Sequence, residues 1–159
     1  MTALTVQSYL AAQYRAELEM FTAALDALPD DAFTTPLLSH SAAWHTLHVA
    51  DWLRLMVLDD QTPDYHYLGW EDNTRVQALG TQSAPLEEDA PRAEIMARLE
   101  DIGARAAAWL DTAQDSDLDG EVFSAATASG TRPRMAALGM QLRHVAYHRG
   151  QVQLGKKSR

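Results

Sequence analysis

Two histidines near the C-terminus, His144 and His148, have the spacing of a metal-ligand pair. They lie in the stretch 141–151, which has the pattern of a helix, and positions i and i+4 of a helix lie on the same face. Neutral imidazole is the commonest protein ligand for zinc and also suits nickel, copper and iron. A catalytic metal usually has three protein ligands and an open position, so a third ligand is needed. The stretch 44–52, which contains His45 and His48, is the obvious source of it.

Composition limits the kinds of function that the chain can have. With 159 residues, of which 47% are hydrophobic, it predicts one domain, 1–159, that buries an ordinary globular core. The net charge of −9 argues against binding to nucleic acid or to a membrane surface, since both depend on clustered Lys and Arg. The chain has no cysteine, so any metal ligands must be His, Asp, Glu or water.

Targeting signals are not evident. The N-terminal stretch 1–7 has neither a cationic start nor an unbroken apolar run, so it does not predict a signal peptide. No stretch approaches the ~20 apolar residues of a membrane span. We therefore expect a cytoplasmic protein.

The spacing of apolar residues predicts four long helices, and hence an all-α fold of the four-helix-bundle type. The expected helices cover about 5–28, which Pro29 ends, then about 41–60 with Ser39 or Ser41 as N-cap, about 91–113, and about 133–154. A long connection over 64–90 joins helices two and three, with a short helix expected near 70–79. A short extended piece is expected at 122–123. Bundles commonly build metal sites from side chains on facing helices, which is where the histidines fall.

The two histidine motifs resemble those of the DinB/YfiT-like superfamily. The first is Trp44-His45-Thr46-Leu47-His48-Val49-Ala50-Asp51, on the second helix, and the second is His144-Val145-Ala146-Tyr147-His148-Arg149-Gly150-Gln151, on the fourth. The resemblance implies a four-helix bundle that holds a divalent metal with three histidines. Carried over residue by residue, it implies His48, His144 and His148 as the metal ligands. His45 is left as a neighbour or an alternative ligand.

The resemblance also implies a range of activities. The superfamily includes transferases and isomerases that use small cofactor thiols, metal-dependent hydrolases, and members linked to DNA-damage or stress responses. Its members are often homodimers, and many carry a C-terminal segment beyond the fourth helix, which we expect to be nearly absent here. We therefore expect a small-molecule substrate, which for the transferase function includes a low-molecular-weight thiol.

The expected cofactor is zinc or nickel, and iron and manganese are also compatible with three histidines. Three neutral imidazoles leave the charge of the ion at +2, which lowers the pKa of a bound water to about 7 or favours a bound thiolate. We expect a thiol-dependent transferase or a hydrolase. The alternative is a non-catalytic metal-binding protein, in a stress response or an interaction, whose site is closed by His45 or His66.

Three further features stay open at this stage. Asp51, three residues after His48, is either an acceptor that orients an imidazole or a partner of Arg54. Arg149 points by helical angle toward the apolar stripe, and it either binds a substrate carboxylate, pairs with a buried acid, or extends past the core to solvent. The aromatic stretch 65–70, which includes His66, forms a pocket wall over the metal or anchors the connection.

Overall fold

The computed structural model describes residues 3–159, and in this part of the chain seven helices and two strands follow one another. In chain order they are α1 (Val6–Asp26), α2 (Asp30–Phe33), α3 (Ala42–Met56), α4 (Thr74–Gln77), α5 (Arg92–Thr112), α6 (Asp115–Leu118), β1 (Glu121–Phe123), β2 (Thr131–Pro133) and α7 (Arg134–Lys157). The four long helices are those that the apolar spacing predicts, so the all-α prediction is confirmed.

Local sequence determines where the long helices begin. Thr5 and Ser8 form a capping box at the start of α1, in which each side chain bonds to the backbone N–H of the other residue. Ser41 caps α3, because its Oγ accepts the backbone N–H of Trp44 at 3.0 Å. Pro91 and Pro133 immediately precede α5 and α7. Proline has no N–H, and at the start of a helix an N–H would have no partner within the helix, so no hydrogen bond is lost.

The order of the long helices around the bundle differs from their order along the chain. Both α1 and α3 pack against α5 and α7, so the order around the bundle is α1, α5, α3, α7. Helices α3 and α7, which carry the histidine motifs, are therefore neighbours although His48 and His144 are 96 positions apart in the chain. The bundle order is what allows the two motifs to meet.

Two apolar clusters hold this arrangement. The larger lies between the long helices and includes Tyr14, Phe21, Leu53, Ile95, Leu110 and Leu138. The smaller lies between α3, α7, the long connection and the hairpin, and includes Trp52, Met56, Tyr65, Leu68 and Phe123. Burial of apolar surface in this second cluster anchors the long connection to the bundle.

The structure refines several predicted boundaries. Helix α3 ends at Met56 and not near residue 60, and Asp59 then adopts a positive φ of 53° that no helix continues. The short helix in the connection is only Thr74–Gln77. The expected extended piece is β1, which pairs antiparallel with β2 so that Val122 lies opposite Arg132. Helices α2 and α6, of four residues each, were not predicted.

Within residues 3–159, no helix combines the length and the apolar character that crossing a membrane requires. Met1 and Thr2 lie outside the described residues. They belong to the stretch 1–7, which does not predict a signal peptide, and to the expected single domain 1–159. That single domain stays a prediction.

We expect Tyr14→Phe to lower the free energy of unfolding by about 1 kcal/mol, because it removes a buried hydrogen bond and keeps the ring. The Tyr14 hydroxyl is fully buried and donates to the carbonyl of Leu138 on α7 at 2.5 Å. Urea denaturation measures the change. Tyr9→Phe is the matched control, because Tyr9 is 51% exposed. Equal stabilities of the two variants would contradict the role given to this bond.

Candidate metal centre

The structure brings together the three histidines that the motifs predict. The Nε2 atom of His144 lies 3.1 Å from Nε2 of His48 and 2.9 Å from Nε2 of His148. Each of the three histidines offers one ring nitrogen, and these three nitrogens all lie within 4.8 Å of one another. Their arrangement is therefore a single cluster between α3 and α7, and their role as metal ligands stays a prediction.

The first imidazole is oriented by the long connection. His48 Nδ1 lies 2.6 Å from the backbone carbonyl of Tyr67. A carbonyl oxygen only accepts hydrogen bonds, so Nδ1 carries the proton and donates it. In neutral His48, Nε2 then has a free lone pair that points into the cluster.

The other two imidazoles have comparable partners. His144 Nδ1 lies 3.2 Å from Oε1 of Gln141, which is one turn earlier on α7, is buried, and accepts the Nδ1 proton. His148 Nδ1 lies 2.8 Å from Nδ1 of His45, and one of these two nitrogens donates to the other. When His148 is the donor, all three Nε2 lone pairs face one another. Such an arrangement is repulsive without a cation and favourable around one.

Burial keeps the cluster neutral. Removal from water lowers the pKa of His48 to about 3 and that of His144 to about 4. Burial, with the neighbouring histidines as a further cause, lowers the pKa of His148 to about 2. Imidazole binds metal only in its neutral form, so at pH 7 all three side chains are in the ligand state.

The donor set and its spacing fit a transition metal. Two nitrogens bound to tetrahedral zinc at the usual bond length lie about 3.3 Å apart, which is close to the two short nitrogen–nitrogen distances here. Among the described residues, this is the one group of His, Asp and Glu side chains with a metal-binding arrangement, and it has three members. Three imidazoles without a fourth protein ligand are typical of a catalytic site and not of a structural one.

The two candidates for a fourth ligand have other partners. His45 is buried behind His148 and contacts its outer nitrogen, so it is a neighbour and not a member of the group. His66 points away, and its Nε2 lies 3.0 Å from the carboxylate of Asp64. Neither of them closes the cluster.

Asp51 acts on the site through the backbone. Its buried carboxylate accepts the N–H groups of His66 at 3.2 Å and Tyr67 at 3.0 Å. It bonds to neither an imidazole nor Arg54, so both predicted partners are wrong; Arg54 instead lies 3.7 Å from Asp60. Burial raises the pKa of Asp51, while the two backbone donors oppose that rise. Asp51 therefore places the Tyr67 carbonyl that orients His48.

Arg149 takes one of its three predicted roles, because it pairs with an acid. Its Nη2 lies 2.8 Å from Oε1 of Glu17 on α1, and its Nε donates to the same oxygen at 2.9 Å. The guanidinium thus joins α7 to α1 and does not reach the histidines. Glu17 pairs with the Nε and Nη2 groups of Arg149, so the structure favours the paired acid over a substrate carboxylate.

A cavity of about 210 Å³ adjoins the cluster. His48 and His144 form one wall of it, and the other walls include Trp52, Trp70, Ser124, Arg132 and Met140. Of the aromatic stretch 65–70, Trp70 lines this cavity, while Tyr65 and Leu68 are buried and anchor the connection. Sequence reasoning missed Arg132 and Ser124, since the hairpin that carries them has no motif. A larger groove of about 760 Å³ between α1 and α5 contains no histidine.

Comparison with known proteins agrees with this geometry. A family model described as the DinB superfamily matches residues 13–152. The chain belongs to the DinB superfamily. The match includes both histidine motifs, so the resemblance that the motifs carry is confirmed.

Among solved structures, YfiT from Bacillus subtilis is similar to this DinB-superfamily chain. It aligns with 99% of this chain and 91% of its own, with a TM-score of 0.64 and 14% sequence identity. That protein is described as a probable metal-dependent hydrolase with an unusual four-helix bundle topology. At this level of identity the likeness concerns the fold. No curated protein matches the chain.

We expect Asp51→Ala to weaken metal binding by about ten- to a hundredfold, because loss of a group that supports a ligand typically has this effect. The backbone of residues 66–67 loses its acceptor, and the Tyr67 carbonyl loses its position. A competition titration with a chromophoric chelator measures the affinity. Asp64→Ala is the matched control, because the Asp64 carboxylate bonds to the side chains of His66 and Ser83 and not to the backbone N–H groups of residues 66–67. Equal affinities in the two variants would contradict the account.

Proposed function

We propose that His48, His144 and His148 hold one divalent transition metal and that the protein is a metal-dependent enzyme acting on a small molecule. The observation that carries this proposal is the convergence of three neutral imidazoles, two of them buried and that of His144 half-buried, without a fourth protein ligand among the described residues. His48 and His144 also line a cavity. A catalytic metal needs such an open position, and a structural metal does not.

The donor set supports zinc or nickel as the metal. Imidazole suits both ions, and it also suits iron, while manganese prefers carboxylate and carbonyl oxygens more strongly. The chain supplies no thiolate, since it has no cysteine, and no carboxylate belongs to the cluster.

When bound, the metal supplies a positive charge that lowers the pKa of a water or thiol in its open position and polarises a bound substrate. The protein's own residues prepare the site for this chemistry. The Tyr67 carbonyl and the Gln141 amide hold the rings of His48 and His144 in the required orientation. Trp44 stacks on His48 with ring centroids 4.3 Å apart and shields that ring from water.

Hydrolase and thiol-dependent transferase are the two forms of this function. They differ in whether water or a thiol attacks the substrate. The description of YfiT as a probable metal-dependent hydrolase supports the first, and the resemblance in the histidine motifs, which extends to thiol-dependent relatives, supports the second. Cavity size restricts both forms to small substrates or to small parts of larger ones.

A non-catalytic metal-binding protein is the alternative. It predicts a closed site, and both candidates for closing it have other partners in the structure. The open side toward the cavity therefore favours the enzyme. A homodimer stays a prediction, for which the mass of the protein in solution is the test.

We expect untagged wild-type protein to carry about one equivalent of transition metal per chain, and His48→Ala, His144→Ala and His148→Ala each to lose most of it. The variants should also melt at lower temperature than wild type, because metal binding to the folded state contributes stability. Elemental analysis and thermal melts measure both effects. His66→Ala is the control, since it removes a histidine outside the cluster and should retain the metal. Retention of metal by His148→Ala would contradict the ligand assignment.

We expect the metal-loaded protein to turn over either ester and amide substrates or an electrophile together with a small thiol. The reaction should stop when the metal is removed and return when it is restored. Rates with water alone and with added cysteine distinguish hydrolase from transferase. Metal-loaded protein that is inactive toward both panels would support the non-catalytic alternative.

A further inference from the structure

Arg132 lines the cavity beside the histidines, and it has no carboxylate partner within residues 3–159. It lies on β2 and is partly buried. Its Nε and Nη2 donate to the Ser124 hydroxyl at 3.1 and 2.9 Å, and its Nη1 contacts the sulfur of Met140 at 2.8 Å. A guanidinium has five N–H donors, so two of them have no partner among the described residues.

Arg132 is one of three partly buried arginines, with Arg98 and Arg134, that form no salt bridge among the described residues. Three other partly buried arginines pair with carboxylates: Arg54 with Asp60, Arg92 with Asp30, and Arg149 with Glu17. The chain carries 22 acidic residues, yet none in the part that the structure describes forms a salt bridge with Arg132. A ligand that displaces water from this guanidinium must offer it a negative charge or hydrogen-bond acceptors in return.

The surrounding structure holds Arg132 in place. Ser124 is 1% exposed, and its backbone N–H donates to the Gly130 carbonyl at 2.8 Å across the hairpin. Arg75 of α4 donates to the carbonyls of Thr127 and Ala128 at the hairpin tip, at 3.1 and 2.8 Å. These bonds tie the hairpin to the long connection, so the cavity is formed before any ligand binds.

Among the described residues, no acidic side chain lines the cavity, and more of its surface is apolar than polar. Trp52, Met56, Trp70 and Met140 are the large apolar side chains of its lining. Its volume of about 210 Å³ suits a ligand of about eight non-hydrogen atoms, by comparison with the 150 Å³ cavity that takes benzene. Such walls bind an apolar ring or chain, and the one cation binds an anion.

We propose that this cavity binds small carboxylates with an apolar body, and that Arg132 pairs with the carboxylate while the apolar part lies between Trp52 and Trp70. This deepens the proposed function, because the cavity is the one from which a substrate would reach His48 and His144. The guanidinium acts as a specificity determinant, since its planar donors match a carboxylate. The Ser124 hydroxyl, which accepts from Arg132, keeps its own proton to donate to the ligand.

The test is a comparison of benzoate with its neutral counterpart benzamide. Both ligands are titrated into the full chain by NMR, with the zinc-loaded protein and again after chelation. The indole N–H signals of Trp52 and Trp70 report binding in the cavity, and that of Trp109, which lies outside it, serves as internal control. We expect benzoate to bind at least tenfold more tightly than benzamide. Equal affinities would overturn the proposal without any variant.

Variants then assign the preference to Arg132. In Arg132→Gln, we expect the affinity for benzoate to fall to that for benzamide, while the affinity for benzamide is unchanged. In Arg132→Lys, part of the preference for benzoate should remain. Arg105→Gln is the matched control, because Arg105 is exposed on α5 and pairs only with Asp101. A benzoate preference that survives in Arg132→Gln would overturn the assignment.

The result is separable from the test of the metal site. A protein that binds no metal but prefers benzoate through Arg132 would refute the proposed enzyme and leave the carboxylate site standing. A protein that binds metal at the histidines but does not distinguish the two ligands would refute the carboxylate site alone.

Discussion

Lone pairs that face one another across a few ångströms repel, and the site depends on this constraint. The Tyr67 carbonyl and the Gln141 amide oxygen each accept an Nδ1 proton, so the Nε2 atoms of His48 and His144 are left to meet. Burial prevents the rings from relieving the repulsion by taking up protons, since it lowers the pKa of each. A divalent cation converts the same arrangement into a favourable one. The residues that accept hydrogen bonds from Nδ1 are therefore as important for metal binding as the imidazoles themselves.

The order of helices in the bundle and the long connection together bring the imidazoles close and orient their rings. Placing α3 beside α7 brings His48 to His144, but the two helices do not supply the acceptor that orients the ring of His48. The connection between α3 and α5 supplies the Tyr67 carbonyl, and Asp51 on α3 holds that part of the backbone in place. The same connection supplies Trp70 to the cavity and, through Arg75, holds the hairpin that carries Arg132. The long connection, in which α4 is only four residues long, thus couples the metal centre to its cavity.

The sequence predicts the parts of this site that depend on short-range spacing. His144 and His148 lie one helical turn apart, and the apolar stripes place them and His48 on facing helices. The partners of long side chains depend on tertiary contacts, which spacing does not contain. The helical angle of Arg149 correctly predicts that it points toward the bundle, but its acid is Glu17, 132 positions away. The sequence does not indicate that Arg132 lines the cavity, because its position there follows from the register of a three-residue strand.

The central claim is that one metal ion lies among the Nε2 atoms of His48, His144 and His148, with one side open to the cavity. Crystals grown with zinc, measured above and below its absorption edge, test it most directly. The account predicts one strong anomalous peak per chain, within about 2.1 Å of all three Nε2 atoms and without a fourth protein ligand. A peak coordinated through His45 or His66 as well would indicate a structural site. The absence of a peak from a well-ordered cluster would contradict the account.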